Sequence, residues 1–341
     1  MTWARTAPAV AVAGLVAVAA WSCLLGPGGT ERIAAGEGVS GALPGLAWEL
    51  AATGQDSVPA SAVASSSVRI AIIDTGADLQ VPEIAGAHPL TYDVQTGRTD
   101  VTDANGHGTF VASLAADFGG GAPLLIVKAG AANGVVTSAD EAAAIRYSVD
   151  HGAKIINLSL AGVTTSQVER RAIRYAASRG ALLIAAVGND YAHGNPVEYP
   201  AALLQPLGSN GRGGIGLTVA ASTQAGTRAA FSNTGSWVSL AAPGESVFGA
   251  LSSLSSPLAW PRAPLPAGMS GLYGYASGSS FAAPEVAGAA AEVWAANAHL
   301  TALQVAGILK QTASGHGTWS PALGFGVIDV PSAVARAQAL N

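Results

Sequence analysis

Gly278-Ser-Ser280-Phe-Ala-Ala-Pro284, together with Asn105-Gly-His107-Gly-Thr109, decides how the rest of this chain is read. A serine and a histidine each stand among small residues where a helical pattern begins. Two further segments carry complementary chemistry. Ile73-Asp74-Thr-Gly76 ends an apolar run on a carboxylate, and Ala186-Val-Gly-Asn189 ends another on a side-chain amide. A serine hydroxyl is a weak nucleophile at neutral pH. It needs a base within hydrogen-bond reach, and that base needs a partner that fixes its tautomer. Glycine allows tight turns and close backbone approach around such a centre. A helix start favours negative charge developing beside it.

Outward from these motifs, short apolar runs alternate with helical patterns from Val68 onward, as in βαβ units. Residues 68–74, 124–128, 154–160, 181–187 and 215–220 are continuous apolar stretches, which predicts buried parallel strands. Asp74 then falls at the carboxyl end of a strand, the edge where sites form in open α/β sheets. Ser138-Ala-Asp-Glu141 reads as a capping box opening a helix that runs to residue 150 and closes at Gly152. Residues 165–178 predict a second helix closed by Gly180, and 279–297 and 301–312 predict two alanine-rich ones. Residues 205–214 and 245–274 read as surface loops. The second borders the substrate cleft or is a passive insertion.

The four motifs, in this order from Asp74 to Ser280, resemble those of the subtilisin-like serine proteases. The resemblance implies an α/β, three-layer fold with a mainly parallel central sheet flanked by helices. It makes Ser280 the nucleophile, His107 the general base and acid, and Asp74 the residue that orients the imidazole and stabilises the imidazolium. Asn189 and the Ser280 backbone N–H become the oxyanion hole. The family's fingerprint is Gly-Thr-Ser-Met-Ala-x-Pro; here Ser279 keeps the hydroxyl and Phe281 keeps an apolar anchor. Asn157-Leu-Ser159-Leu-Ala161-Gly162 resembles the strand that pairs with an extended peptide, so Ser159, Leu160, Ala161 and Gly162 become substrate contacts by β-augmentation. The family usually has glycine where Ala161 stands; a cleft narrowed to small side chains and a neutral change are both open. By the same resemblance Glu198 approaches this pocket, with a solvated loop carboxylate as the expectation. The implied activity is that of an extracytoplasmic serine endopeptidase working through an acyl-enzyme. It would act as a monomer on peptide or protein substrates, with no cofactor in the chemistry.

Composition bounds the remaining choices. The 341 residues are 50% apolar and 11% charged, with a net charge of −5 and no basic patch, which excludes nucleic acid as a partner. One cysteine, Cys23, excludes an intrachain disulfide and a metal site built on several cysteines. Arg5 is the only charge before an uncharged run from residue 6 to 30, apolar over 7–25. Residues 1–30 therefore fit a signal peptide and a membrane anchor equally. A lipoprotein at Cys23 is disfavoured by the bulky Trp21. Each of these places the rest outside the cytoplasm, with the N-terminal segment at the membrane. Residues 31–42 read as a short linker with no room for a full inhibitory prodomain, and 43–341 as the peptidase domain. Asp93, Asp100 and Asp103 form an acidic group before His107; the ligand pattern is not specific, so a solvated loop is expected and structural calcium is not indicated. Gly211-Arg-Gly-Gly-Ile-Gly216 matches a dinucleotide fingerprint in letters but precedes a strand, which is the wrong context.

Two alternatives stay open on the sequence. Ala71-Ile-Ile-Asp-Thr-Gly-Ala-Asp78 also resembles a retroviral-type aspartic protease, with Asp74 as half of a carboxylate dyad. That fold is all-β and leaves His107, Asn189 and Ser280 unexplained. The other is a catalytically silent, peptide-binding protein with the same fold as the proteases.

Overall fold

The computed structural model describes residues 15–17, 47–58, 68–265 and 270–341. The linker over 31–42, and the leader or anchor over 1–30 apart from residues 15–17, lie outside the described residues. In chain order the elements are β1 (Leu15–Ala17), α1 (Ala47–Thr53), β2 (Arg69–Asp74), α2 (Pro82–Gly86), β3 (Leu90–Asp93), α3 (His107–Asp117), β4 (Leu124–Lys128), β5 (Val135–Thr137), α4 (Ser138–Asp150) and β6 (Ala153–Leu158). There follow α5 (Gln167–Ser178), β7 (Leu182–Ala186), α6 (Ala201–Leu204), β8 (Gly216–Ser222), β9 (Leu240–Pro243), β10 (Val247–Ala250), β11 (Tyr273–Ala276), α7 (Ser279–Ala296), α8 (Ala302–Thr312) and α9 (Val330–Gln338).

A seven-stranded sheet runs in the order β3-β4-β2-β6-β7-β8-β9, with every neighbouring pair parallel. Its strands are apolar on both faces because helices cover both. Ile70 and Ile72 of β2 join a core containing Phe110 and Leu114 of α3 and Val286 of α7. The alternate residues Ala71 and Ile73 join a second core with Ile145 of α4 and Ile173 of α5. This period-two division of one strand between two cores produces the three layers. The sheet's carboxyl edge carries Asp74 at the end of β2, Ser159 just beyond β6 and Asn189 just beyond β7. Outside this sheet, β1 pairs antiparallel with β5. Among the described residues no helix is long and apolar enough to cross a membrane.

Two sequence expectations are corrected here. Ser138 does not cap α4. Thr137 does, in extended conformation, with its hydroxyl accepting from Asp140 N–H. That places Ser138 inside the first turn and buries Glu141. The capping boxes lie instead at Ser166/Glu169 and Thr301/Gln304. Nor is 245–274 a loop throughout. β10 and β11 pair antiparallel in it, from Val247↔Ala276 to Ala250↔Tyr273. The hairpin is buried because it lies on α3: Ala250 N–H donates to Ser113 Oγ, and a Cβ on Gly249 would stand 2.8 Å from the Phe110 ring.

Candidate active site

The aspartate and histidine motifs are docked directly onto each other. Gly76 has φ +119°, and a Cβ there would lie 2.2 Å from Val101 O. A Cβ on Gly108 would lie 2.2 Å from Gly76 O. Only glycines allow the two backbones this close. The approach is pinned by Thr75 Oγ1, which accepts from Gly108 N–H at 3.0 Å. It sets His107 Nδ1 2.8 Å from Asp74 Oδ1, with both side chains buried. Asp74 Oδ1 also accepts from Thr75 N–H at 2.8 Å. Burial pushes the imidazole pKa down. The charge and hydrogen bond of Asp74, with the charge of Asp103, outweigh it, so the pKa stands above its ordinary value. His107 Nε2 is buried with no hydrogen-bond partner, so no bond to Ser280 Oγ is formed in this state. Such bonds commonly tighten only around substrate.

Ser280 is the second residue of α7 and is buried at the same place. The ring of Phe281, its neighbour, lies 5.4 Å from the His107 ring. Two bonds lock the Asn189 segment to this helix start: Gly188 N–H donates to Ser279 Oγ at 3.1 Å, and Ser279 N–H donates to Asn189 Oδ1 at 2.8 Å. With its oxygen occupied, Asn189 has its Nδ2 donors free for a ligand. Ser159 donates to Ser280 O at 2.6 Å and accepts from Asn157 Nδ2. Ser159 and Leu160 are therefore buried as side chains; Ala161 and Gly162 are half-buried.

The family model for the subtilases matches residues 65–326. The chain belongs to the subtilase family. It is 33% identical to a thermophilic serine proteinase of Bacillus sp. (strain AK1) over 75% of this chain and 59% of that protein. It is 31% identical to subtilisin DY of Bacillus licheniformis over 82% of this chain and 94% of that one. Among solved structures, fervidolysin from Fervidobacterium pennivorans, a keratinolytic enzyme related to subtilisin, superposes with a TM-score of 0.70 at 26% identity. That match covers 84% of this chain and 45% of that one. Against the first of these relatives and fervidolysin, then, this chain spans only part of the longer protein. The aspartic-protease alternative fails, because that fold is all-β and this subtilase is built on a parallel sheet.

Three acids depart from their expected roles. Asp103 is not solvated. It is buried, with Oδ1 accepting from Thr75 Oγ1, Asn105 N–H and Gly106 N–H, and Oδ2 accepting from the N–H and hydroxyl of Thr109. One carboxylate thus ties the aspartate motif to the start of α3. Asp93 is buried as well, whereas Asp100 is exposed, and both accept from backbone N–H groups in their own turns. Among the described residues no three His, Cys, Asp or Glu side chains are grouped to hold a metal ion. Glu198 is also buried. Tyr199 exchanges two backbone bonds with Gly162, which draws Glu198 inward. A Cβ on Gly188 would lie 2.4 Å from its carboxyl carbon. Burial pushes its pKa up to about 7, with a bond from Asn233 opposing and Asp190 adding.

Asp103→Asn tests the first of these roles. Losing good acceptors for several buried donors costs on the order of 2–3 kcal/mol, measured by denaturant unfolding. Removing its charge also takes away a contribution that raises the His107 pKa. The acid limb of kcat/KM therefore moves to lower pH. An unmoved limb would show that the Asp103 charge is not felt at the imidazole.

Proposed function

We propose that this subtilase is a serine endopeptidase that hydrolyses peptide bonds through an acyl-enzyme, outside the cytoplasm. The observation that carries the reading is the buried 2.8 Å bond from His107 Nδ1 to Asp74, with the start of α7 against the same imidazole. Asp74 accepts the Nδ1 proton, which leaves Nε2 as the basic nitrogen. Ser280 Oγ attacks the scissile carbonyl as its proton passes to Nε2. Negative charge developing on the carbonyl oxygen is met by Asn189 Nδ2 and the Ser280 N–H at the helix start. His107 then returns the proton to the leaving amine, and water repeats the sequence on the ester. The His107 base must be neutral, so kcat/KM falls as pH drops below its raised pKa. Export rests on the apolar run over residues 7–25 behind Arg5.

Fluorophosphonate labelling of the folded protein, with mapping of the adduct, tests this reading. A stoichiometric adduct on Ser280 is the expected result, because the probe reacts with a serine activated by an adjacent base. A well-folded protein that takes no label is instead a silent peptide-binding subtilase.

A further inference from the structure

The connection from β10 to β11 reaches back to the turn that carries His107. Ser252 Oγ donates to Asp103 O, and Ser253 N–H and Oγ both donate to Asp78. Further along, Trp260 Nε1–H donates to Asn105 O at 2.7 Å, two residues before His107. The packing there is tight: a Cβ on Gly106 would lie 2.7 Å from Ser255 Cβ and 2.8 Å from Trp260 Nε1. The same indole stacks on Phe110, 5.6 Å between centroids and 28° between planes. Phe110 lies 4.7 Å from Phe281, and Trp260 meets Phe281 edge-on at 6.3 Å. Phe281, in turn, lies 5.4 Å from His107. Phe281 stands where the family's fingerprint has methionine, and Trp260 and Phe110 are what its ring packs on.

One side chain therefore touches the segments that carry both halves of the reacting pair. It holds the turn before the histidine by a hydrogen bond. It also holds the residue after the serine by ring contacts, directly and through Phe110. Trp260 is only half-buried and belongs to a connection outside the central sheet, so it packs against the margin of the first core and is not one of its buried members. Relative placement of nucleophile and base matters far more to rate than to folding: a 1 Å misplacement costs on the order of 100-fold.

Taking the proposed serine-peptidase activity as its basis, we propose that Trp260 is a positioning residue that sets the spacing of His107 and Ser280. Residues 251–265 are on this reading a brace for the catalytic pair, with Trp260 as its contact. The effect is on turnover, because the contacts of Trp260 run to the turn before His107 and to the residue after Ser280.

The test uses the full chain, a peptide that the wild type cleaves, and three variants. Trp260→Ala is expected to lower kcat by about 10- to 100-fold, with KM and the thermal midpoint little changed. Trp260→Phe, which keeps one aromatic ring while removing the N–H donor and the second ring, recovers most of that loss. Leu258→Ser, at a fully solvent-facing position of the same connection, leaves kcat unchanged. The rate of fluorophosphonate labelling of Ser280 follows kcat across the series. Wild-type kcat in both Trp260 variants would overturn the proposal. So would a kcat loss in Trp260→Ala that merely tracks a lost thermal midpoint while Trp260→Phe behaves as wild type. If the wild type itself neither cleaves peptides nor labels, the serine-peptidase reading falls and takes the brace with it. A wild type that labels on Ser280 keeps the two failures apart.

Discussion

Ser280→Ala and His107→Ala each lose kcat by a factor on the order of 10⁶, and combining them costs no more than either alone. That magnitude was measured on a subtilisin, a member of this family, and is carried over to these positions. Each removes half of a single proton-transfer unit, so once one half is gone the other has nothing to act on. Asp74→Asn loses less, on the order of 10⁴, for a reason visible in the hydrogen bonds. Asp74 Oδ1 accepts from both His107 Nδ1 and Thr75 N–H. An amide oxygen in that place still accepts from both, so the imidazole keeps its orientation; what is lost is the charge that raises the His107 pKa and stabilises the imidazolium during turnover. All three variants keep the fold, because each replaces a side chain near the sheet's carboxyl edge without opening either hydrophobic core. Single-turnover cleavage beside thermal melting checks both parts. A variant that melts like the wild type and cleaves within tenfold of it would remove that residue from the mechanism.

The elements that hold these residues were legible where local pattern coincided with tertiary role. Asp74 ends an apolar run and does end a buried strand. Helices α5, α7 and α8 begin within two residues of their expected starts, because the capping boxes of α5 and α8 and the alanine-rich face of α7 agree with their packing. Legibility failed where a side chain's partner is distant in sequence. Nothing near Asp103 announces that its carboxylate binds Thr75, 28 residues earlier in the chain. The acids around it read as a solvated loop. Glu198 looked solvated for the same reason: its partner Asn233 and the Gly188 backbone come from other segments. At α4 the error was one of register. Ser138-Ala-Asp-Glu141 has the letters of a capping box. The chain instead leaves β5 extended through Thr137, which caps first and puts Glu141 inside. Strands β3, β9, β10 and β11 are four residues each, too short for a period to declare itself. The Trp260 contact lay in a stretch rich in serine and proline, where composition alone reads as loop.

Stability of this protein falls as pH rises from about 5 to about 8, by several kcal/mol, which lowers the thermal midpoint by roughly 10 °C. Among the described residues the ion pairs are His107–Asp74 and His193–Asp190; no lysine or arginine lies within 4.0 Å of a carboxylate. Yet Glu49, Glu141, Glu169, Glu198, Glu285 and Glu292 are buried. No lysine or arginine is in ion-pair contact with them, and burial raises the pKa of each carboxyl, with Arg170 opposing in part at Glu169. Burial pushes Glu49 up to about 8 and Glu292 to about 7, and it pushes Glu285, Glu141 and Asp117 well above the ordinary range. These folded-state values exceed the unfolded ones. Between an ordinary carboxyl value near 4.5 and each raised value, the folded state therefore binds more protons than the unfolded chain. By linkage, every such group withdraws stability as pH climbs through that window. Asp78 and Asp100 are shifted the other way by their hydrogen bonds, so they favour the fold only above the acid range. The response concentrates where α1 meets α7. Glu285 has neither oxygen bonded and feels the charge of Glu49, whose Oε1 accepts from Phe248 N–H. Glu285→Gln keeps the shape, removes one titration and relieves the other, so its midpoint falls less steeply with pH than the wild type's. A wild-type midpoint that is level or rising over this range would mean that these carboxyls find counter-charges in solution. The same rise in pH that frees the His107 base therefore loosens the scaffold that holds it, so a neutral to mildly acid medium is where base strength and fold coincide.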